Sequence, residues 1–109
     1  MTYISGPITG VTDWKEKFEQ AENWVKRNLD KNIKSPRLIS RRLERELGRT
    51  PGEIPWEEYM RADLRELTYC DTIFVMRGSE GSKGAALELH LAQELGLRVC
   101  HQEDVCQQK

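Results

Sequence analysis

Two carboxylates occupy helix positions where the neighbouring residues favour an apolar side chain. On a helical wheel Glu88 falls in the middle of an apolar face, three residues before Leu91 and seven before Leu95. Asp63 falls in the same way within the apolar stripe of residues 56–67. Burial disfavours the charged form of a carboxyl group, and shifted carboxyls in a cleft are suited to acid–base and covalent chemistry on sugars. The alternative is that each carboxylate lies at the rim of its stripe and pairs with an arginine.

A glycine-punctuated turn follows directly on the first predicted strand, Thr2–Ser5, in the sequence YISGPITG. Gly6 and Gly10 enclose three residues, a spacing that matches neither the dinucleotide-binding fingerprint nor a Walker loop. The plain interpretation is a chain reversal. Because the turn leads into a helix amino terminus and the hydroxyls of Ser5 and Thr9 lie beside it, we favour phosphate or ribose binding.

A second loop, GSEGSKG, precedes the helix that carries Glu88. It resembles the first loop in its small residues and in the helix that begins after it, and it also contains one lysine. Ser82, Lys83 and Gly84 are therefore candidates to contact the same ligand as the first loop.

Strands and helices alternate along the chain. Predicted strands cover residues 2–5, 32–35, 72–76 and 97–100, and predicted helices cover residues 13–29, 38–47, 55–69 and 83–95. Asp13 and Glu16 have the spacing of a capping box, and the polar tail from Gln102 is expected to fray. The alternation predicts one α/β domain over residues 1–109, a three-layer Rossmann- or flavodoxin-like fold with a short, mainly parallel sheet of four or five strands. Ligands of such sheets bind beyond the carboxyl ends of the strands, where both loops lie.

Composition restricts the class of protein. The chain has 109 residues, 17 basic and 18 acidic, and a net charge of −1, which gives no general attraction to nucleic acid or to anionic membranes. No apolar run is long enough to span a bilayer, and no signal peptide is recognisable at the first residues. Cys70, Cys100 and Cys106 are irregularly spaced, which favours reduced thiols in the cytoplasm, and with His90 and His101 they make no zinc pattern. We therefore expect no metal and no membrane or nucleic-acid partner.

Two further groups of residues favour structural interpretations. The arginines of residues 37–49 alternate with Glu44 and Glu46, so a solvated helix face is favoured over a phosphate-binding cluster. Trp14, Trp24 and Trp56 are most simply residues of the core or of a subunit interface.

Three segments together resemble a known superfamily. The chain looks like a small branch related to the nucleoside 2-deoxyribosyltransferases in the segments YISGPITG, WEEYMRADLRELTYCDTIFV and GSEGSKGAALELHLAQELGL. That superfamily also contains the 2′-deoxynucleoside 5′-phosphate N-hydrolases. The resemblance covers roughly 60 residues and fails between about Lys34 and Pro55.

The resemblance implies roles for particular residues. Glu88, in GAALE, matches the glutamate that attacks the anomeric carbon of the sugar, Asp63 matches the aspartate that positions the sugar and handles protons at the base, and Tyr3 matches the tyrosine beside the nucleophile. The loop that would bind the 5′ side of the nucleotide corresponds to Gly6, Pro7, Ile8, Thr9 and Gly10. The further aspartate of the transferases is replaced by Ser82, with Glu80 nearby, and the arginine of the phosphate-preferring hydrolases is absent from the loop.

The resemblance and the two inward carboxylates predict an enzyme that cleaves or transfers at the N-glycosidic bond of a nucleoside or nucleotide, without a cofactor, as an N-glycosidase or a deoxyribosyltransferase. One alternative is a module that binds or sequesters nucleotides without turnover, and another is a purely structural partner protein, which would leave the two inward carboxylates unexplained. Because the relatives associate and one small domain makes a shallow pocket, a homodimer or larger homo-oligomer is expected.

Overall fold

A four-stranded parallel sheet forms the centre of the part of the chain that the structure describes. The computed structural model describes residues 1–105. The strands are β1 (Thr2–Ser5), β2 (Ile33–Lys34), β3 (Thr72–Val75) and β4 (Arg98–His101), arranged in the order β2-β1-β3-β4. All three neighbouring pairs are parallel. The predicted short, mainly parallel sheet is confirmed.

Helices cover both faces of the sheet. They are α1 (Trp14–Asn28), α2 (Pro36–Leu47), α3 (Trp56–Leu67), α4 (Lys83–Glu94) and α5 (Gln102–Val105). Residues of α1 and α5 pack on one face, residues of α3 and α4 pack on the other, and α2 lies beside α3. The predicted three-layer, Rossmann-like α/β architecture is therefore confirmed.

Alternation along β1 divides its side chains between the two layers of helices. Ile4 packs in the cluster that contains Phe18 of α1, whereas Tyr3 packs in the cluster that contains Leu67 of α3 and Ala92 of α4. Successive residues of a strand point to opposite faces, so Ser5 lies on the same face as Tyr3. Both of these polar side chains are completely buried. The strand thus directs two hydroxyl groups towards α4.

Two predicted helix starts differ from the structure. α2 begins at Pro36, two residues earlier than expected, because proline suits the first helical position and the Ser35 side chain accepts a hydrogen bond from the Leu38 amide. The capping box at Asp13 does not form. Asp13 has φ −103° and ψ 33°, outside the extended conformation of a capping residue, and its carboxylate lies 3.8 Å from Lys17 Nζ instead.

The segment after β4 is more ordered than its polar sequence suggests. Residues Gln102–Val105 form the short helix α5 rather than a frayed tail. The Arg77 amide donates to Gln102 Oε1 at 2.8 Å, and Val105 packs against the cluster around Phe18, so both ends of the turn are held. Cys106 and the rest of the tail lie outside the described residues.

The strand order places β1 and β3 side by side, and the chain leaves them towards opposite faces of the sheet. β1 leads to α1 on one face, and β3 leads to α4 on the other. A crevice is expected at the carboxyl ends of two such strands. Within residues 1–105 there is no helix with both the length and the apolar character that a bilayer crossing requires.

Candidate functional site

A cavity of about 340 Å³ opens at the carboxyl end of the sheet. Its lining comes from the loop after β1, from the beginnings of α1 and α4, and from the facing sides of α2 and α3. Glu88 and Asp63 both reach it. The two inward carboxylates predicted from separate helices therefore share one pocket.

Glu88 lies on the inner face of α4 and is held by two hydroxyl groups of β1. Tyr3 Oη donates to Glu88 Oε2 and Ser5 Oγ donates to Oε1, each at 2.7 Å. The glutamate side chain is 3% exposed, and no cation pairs with it among the residues that the structure describes. The prediction that Glu88 points inward is confirmed, and the alternative that it pairs with an arginine is wrong for this residue.

The environment of Glu88 weakens its acidity. Burial raises the pKa of Glu88 to about 7, and the hydrogen bonds from Ser5 and Tyr3 oppose that rise because they favour the charged form. Burial, together with the charges of Glu88 and Asp63, raises the pKa of Tyr3 well above its usual range. The phenol therefore stays protonated and remains a hydrogen-bond donor.

Asp63 lies on the inner face of α3 and is 5% exposed. Its Oδ1 atom is buried and makes no hydrogen bond within the described part of the chain. Burial, with a further contribution from the charge of Glu88, raises the pKa of Asp63 to about 8. At neutral pH this carboxyl is mainly protonated and can donate a proton into the cavity.

The loop after β1 contributes part of the cavity wall. Gly6, Ile8 and Thr9 line the cavity, but Pro7 and Gly10 do not. A Cβ atom at Gly6 would lie 2.6 Å from Met76 Sδ and 3.2 Å from the Phe18 ring, so any larger residue at this position would displace these side chains. Gly10 has φ +82°, which identifies it as a turn residue. Of the five predicted loop residues, three are therefore placed to meet a ligand.

Of the three residues predicted from the second loop, two line the cavity and one does not. Ser82 and Gly84 line the cavity, but the Ser82 hydroxyl also accepts a hydrogen bond from the Ala85 amide as the cap of α4. A Cβ atom at Gly84 would lie 3.3 Å from Met60 Sδ, so glycine allows α4 to approach α3 closely. Lys83 is not part of the lining. Its Nζ atom lies 4.7 Å from the centroid of the Trp56 ring.

One wall of the cavity comes from α2, which the sequence did not assign to the site. Arg37, Ser40, Arg41 and Glu44 all reach it. The interpretation of the arginines as a solvated helix face is wrong for Arg37, which pairs with a buried carboxylate, whereas Arg41 and Arg45 are exposed. Arg37 is bound to the buried Glu22, with Nη2 2.6 Å from Oε1 and Nε 3.0 Å from Oε2. The i, i+3, i+4 and i+7 spacing of the four residues was a usable signal that they share one face.

Two tryptophan side chains complete the walls. Trp14 at the start of α1 and Trp56 at the start of α3 both line the cavity, and Trp56 is 39% exposed. Trp24, by contrast, stacks on Phe74 at 5.6 Å in the core. The core interpretation thus fits Trp24, and it also fits Trp14, which packs edge-on against Phe18 at 5.9 Å while lining the cavity. Trp56 presents exposed apolar surface to a ligand, with the Lys83 ammonium over its ring.

The polar groups at the site are those of acid–base chemistry. Across residues 1–105, no three side chains of His, Cys, Asp or Glu are grouped as a metal ion would require. Among its polar groups the cavity has Glu88 as a partly ionised carboxyl group and Asp63 as a protonated one, and the buried hydroxyls of Tyr3 and Ser5 donate to Glu88.

Comparison with known protein families identifies the family of this chain. It belongs to the family described as a domain of unknown function, DUF4406, whose model matches residues 1–101. No curated protein matches the chain significantly. Every residue that lines the cavity lies within the matched range.

Proposed function

We propose that this protein cleaves the N-glycosidic bond of a nucleoside or nucleotide, or transfers its sugar, with Glu88 as the carboxylate that acts on the anomeric carbon. The observation that carries the proposal is the state of Glu88. It is buried at a cavity wall, fixed by two hydroxyl groups and not neutralised by a described cation. Structural carboxylates at such depth normally have a charged partner.

The chemistry requires an ionised and a protonated carboxyl group. In the proposed reaction a Glu88 oxygen bonds to the anomeric carbon, or stabilises the cation that forms there, as the carbon–nitrogen bond breaks. The electron pair of that bond passes to the base, whose nitrogen takes the proton of Asp63. Water or a second base then attacks the anomeric carbon, releases Glu88 and returns a proton to Asp63.

The remaining residues of the site have supporting roles. Tyr3 and Ser5 orient the two oxygens of Glu88. Because both donors are neutral, the negative charge of Glu88 remains free to stabilise the positive charge that develops on the sugar. Trp14 and Trp56 offer surfaces on which a base can stack. No cofactor is needed for this chemistry.

One observation favours the alternative, a nucleotide-binding module without turnover. The position of the further transferase aspartate is Ser82, whose hydroxyl is engaged as the helix cap, and nearby Glu80 lines a different, smaller cavity. No third carboxylate therefore joins Glu88 and Asp63 from this loop.

Incubation with a panel of nucleosides, nucleotides and NAD, followed by chromatography for free base, separates the two functions. We expect base release by the wild-type protein and by Glu80→Gln, a matched carboxylate variant outside the cavity, but not by Glu88→Gln. Binding without release by the wild-type protein would favour the module.

We also propose that the chain associates as a homodimer or larger oligomer in the cytoplasm. Leu87 and Leu95, at or just after α4, are 41% and 50% exposed, which leaves apolar surface for a second copy. Sedimentation should give a mass above 12.7 kDa at micromolar concentration, and a mass equal to one chain would contradict this.

A further inference from the structure

The mouth of the cavity carries positive charge from two different helices. Lys15 of α1 and the arginines Arg37 and Arg41 of α2 all line it. Arg37 is already neutralised by the buried carboxylate of Glu22. The positive charge of Arg37 is therefore balanced within the fold and contributes little attraction for an anionic ligand.

Arg41 and Lys15 differ from Arg37 in this respect. Both are exposed, and neither has an acidic side chain within ion-pair distance among residues 1–105. Lys15 Nζ lies 5.7 Å from the centroid of the Trp14 ring, at the same wall of the cavity. Two cationic groups thus remain available to a ligand.

The other charged groups of the cavity define its polarity. Glu88 and Asp63 are the deeply buried carboxyls, and they disfavour an anion near them. Glu44 also lines the cavity, but its Oε2 atom accepts a hydrogen bond from Tyr59 Oη at 2.9 Å. The exposed cations outnumber this one carboxylate on the α1 and α2 walls.

We infer that Arg41 and Lys15 form an anion subsite, and that the substrate is a nucleoside phosphate rather than a nucleoside. This inference rests on the proposed function. A phosphate carried on the sugar is separated from the anomeric carbon by the ring, which suits a cavity with carboxyls at depth and cations at the exposed walls. Arginine binds phosphate oxygens in a bidentate manner, and the hydroxyls of Thr9 and Ser40 line the same cavity.

The fold holds the amino-terminal part of α2, which carries Arg41, against α1. One helical turn earlier, Arg37 is fixed to Glu22 of α1, and Glu22 also accepts a hydrogen bond from Ser35 Oγ at 2.7 Å. This network ties the first turn of α2 to α1. The arginine of the subsite therefore comes from a segment outside the resemblance to the deoxyribosyltransferases.

Calorimetric titration of the full chain tests the inference, with Glu88→Gln as the background so that no turnover interferes. The probes are a deoxynucleoside, its 5′-monophosphate and inorganic phosphate. We expect the monophosphate to bind at least about tenfold more tightly than the nucleoside, and inorganic phosphate to bind far more weakly than either. Added salt should reduce the preference.

Single substitutions then locate the subsite. Arg41→Ala should reduce the preference for the monophosphate about tenfold and Lys15→Ala several-fold, with nucleoside affinity unchanged. Arg45→Ala is the matched control, because Arg45 is an exposed arginine of the same helix that does not line the cavity. It should leave the preference as it is.

Three results would overturn the inference: equal affinity for nucleoside and monophosphate, a preference that survives both substitutions, or inorganic phosphate binding as tightly as the monophosphate. These failures differ from failure of the proposed function. If nucleosides and monophosphates release base with equal kcat/KM, the activity stands and the subsite does not. If no compound releases base, the activity fails, and the preference in binding still decides the subsite.

Discussion

Glu22 and Glu88 are buried to almost the same degree, 2% and 3% exposed, on opposite sides of the sheet. Glu22 is bound by both a serine hydroxyl and the guanidinium of Arg37. Glu88 is bound by two hydroxyls alone. The first carboxylate joins α1 to α2, whereas the second faces a cavity.

The comparison shows which property separates a structural carboxylate from a candidate catalytic one. Burial does not separate them, since both are buried. The difference is whether the surrounding charge is balanced, because a neutralised carboxylate has little tendency to react with a developing cation. Isosteric substitution of each glutamate should therefore have opposite consequences.

The largest expected effect is that of Glu88→Gln on turnover. The amide keeps the shape of the side chain but cannot attack or stabilise the anomeric carbon, so base release should fall at least about a thousandfold. Thermal unfolding should occur at the same temperature as in the wild type or higher, because a buried ionisable group has been removed. Retention of near-normal turnover would show that Glu88 is not the reacting carboxylate, and unfolding would show that its role is structural.

Glu22→Gln should instead affect stability. Loss of the carboxylate leaves the Arg37 guanidinium partly buried without its charged partner, at a cost of about 3 kcal/mol in the free energy of unfolding, measured by urea titration. Turnover per folded molecule should stay within a few-fold of wild type. In the double variant Glu22→Leu/Arg37→Met much of the lost stability should return, and if the single variant is as stable as wild type, the pair has no structural role.

Asp63→Asn should slow base release by about a hundredfold, less than Glu88→Gln, because proton delivery to the base is lost while Glu88 remains. The single-turnover rate with a substrate whose base leaves without protonation should be nearly unchanged. Equal slowing for both kinds of leaving base would assign Asp63 to positioning alone.

The dependence of kcat/KM on pH sharpens the assignment of roles. Glu88 must be ionised, and its pKa is raised to about 7, while Asp63 must be protonated, and its pKa is raised to about 8. The profile should be bell-shaped with its maximum between these values and should fall about tenfold per pH unit on each side. Asp63→Asn should remove the alkaline limb, and a profile that keeps this limb would contradict the assignment.

The same two groups should make the fold less stable as pH rises. Each has a pKa in the folded protein above its ordinary value, 4.5 for Glu88 and 3.8 for Asp63, so the folded state retains protons that the unfolded state releases. Their contribution to stability is complete below about pH 4 and declines by about 1.4 kcal/mol per pH unit for each group, up to about pH 7 for Glu88 and about pH 8 for Asp63. Urea titrations of Glu88→Gln across this range should show a shallower decline, and an unchanged slope would contradict the raised pKa.

Much of the fold was predictable because its signals are local. β3 is a β-branched and aromatic run, and Gly48 closes α2 in the left-handed conformation that glycine favours. Glu88 and Asp63 were found because each interrupts an apolar face. The same pattern was present at Glu22, beside Phe18 and Val25 on α1, and there it marked an ion pair.

The rest of the site depends on contacts between distant segments. The arginine that neutralises Glu22 lies 15 residues away in the chain, and the tyrosine that binds Glu88 lies 85 residues away. Periodicity identifies the polar face of α2 but does not show that this face turns towards a cavity. Proximity across the fold decides whether a buried carboxylate is neutralised, and that property is not local in sequence.

The charge on Glu88 decides whether this residue can act on the anomeric carbon, and that charge can be measured without knowing the substrate. Carbon-13 NMR of protein labelled at the glutamate carboxyl groups follows each ionisation as pH is raised. We predict one resonance with a midpoint near pH 7 that is absent in Glu88→Gln and present in Glu22→Gln, in keeping with the raised pKa of Glu88. A Glu88 resonance with a midpoint below about pH 5 would mean that the carboxylate is stabilised in its charged form like an ordinary structural group, and would contradict the claim.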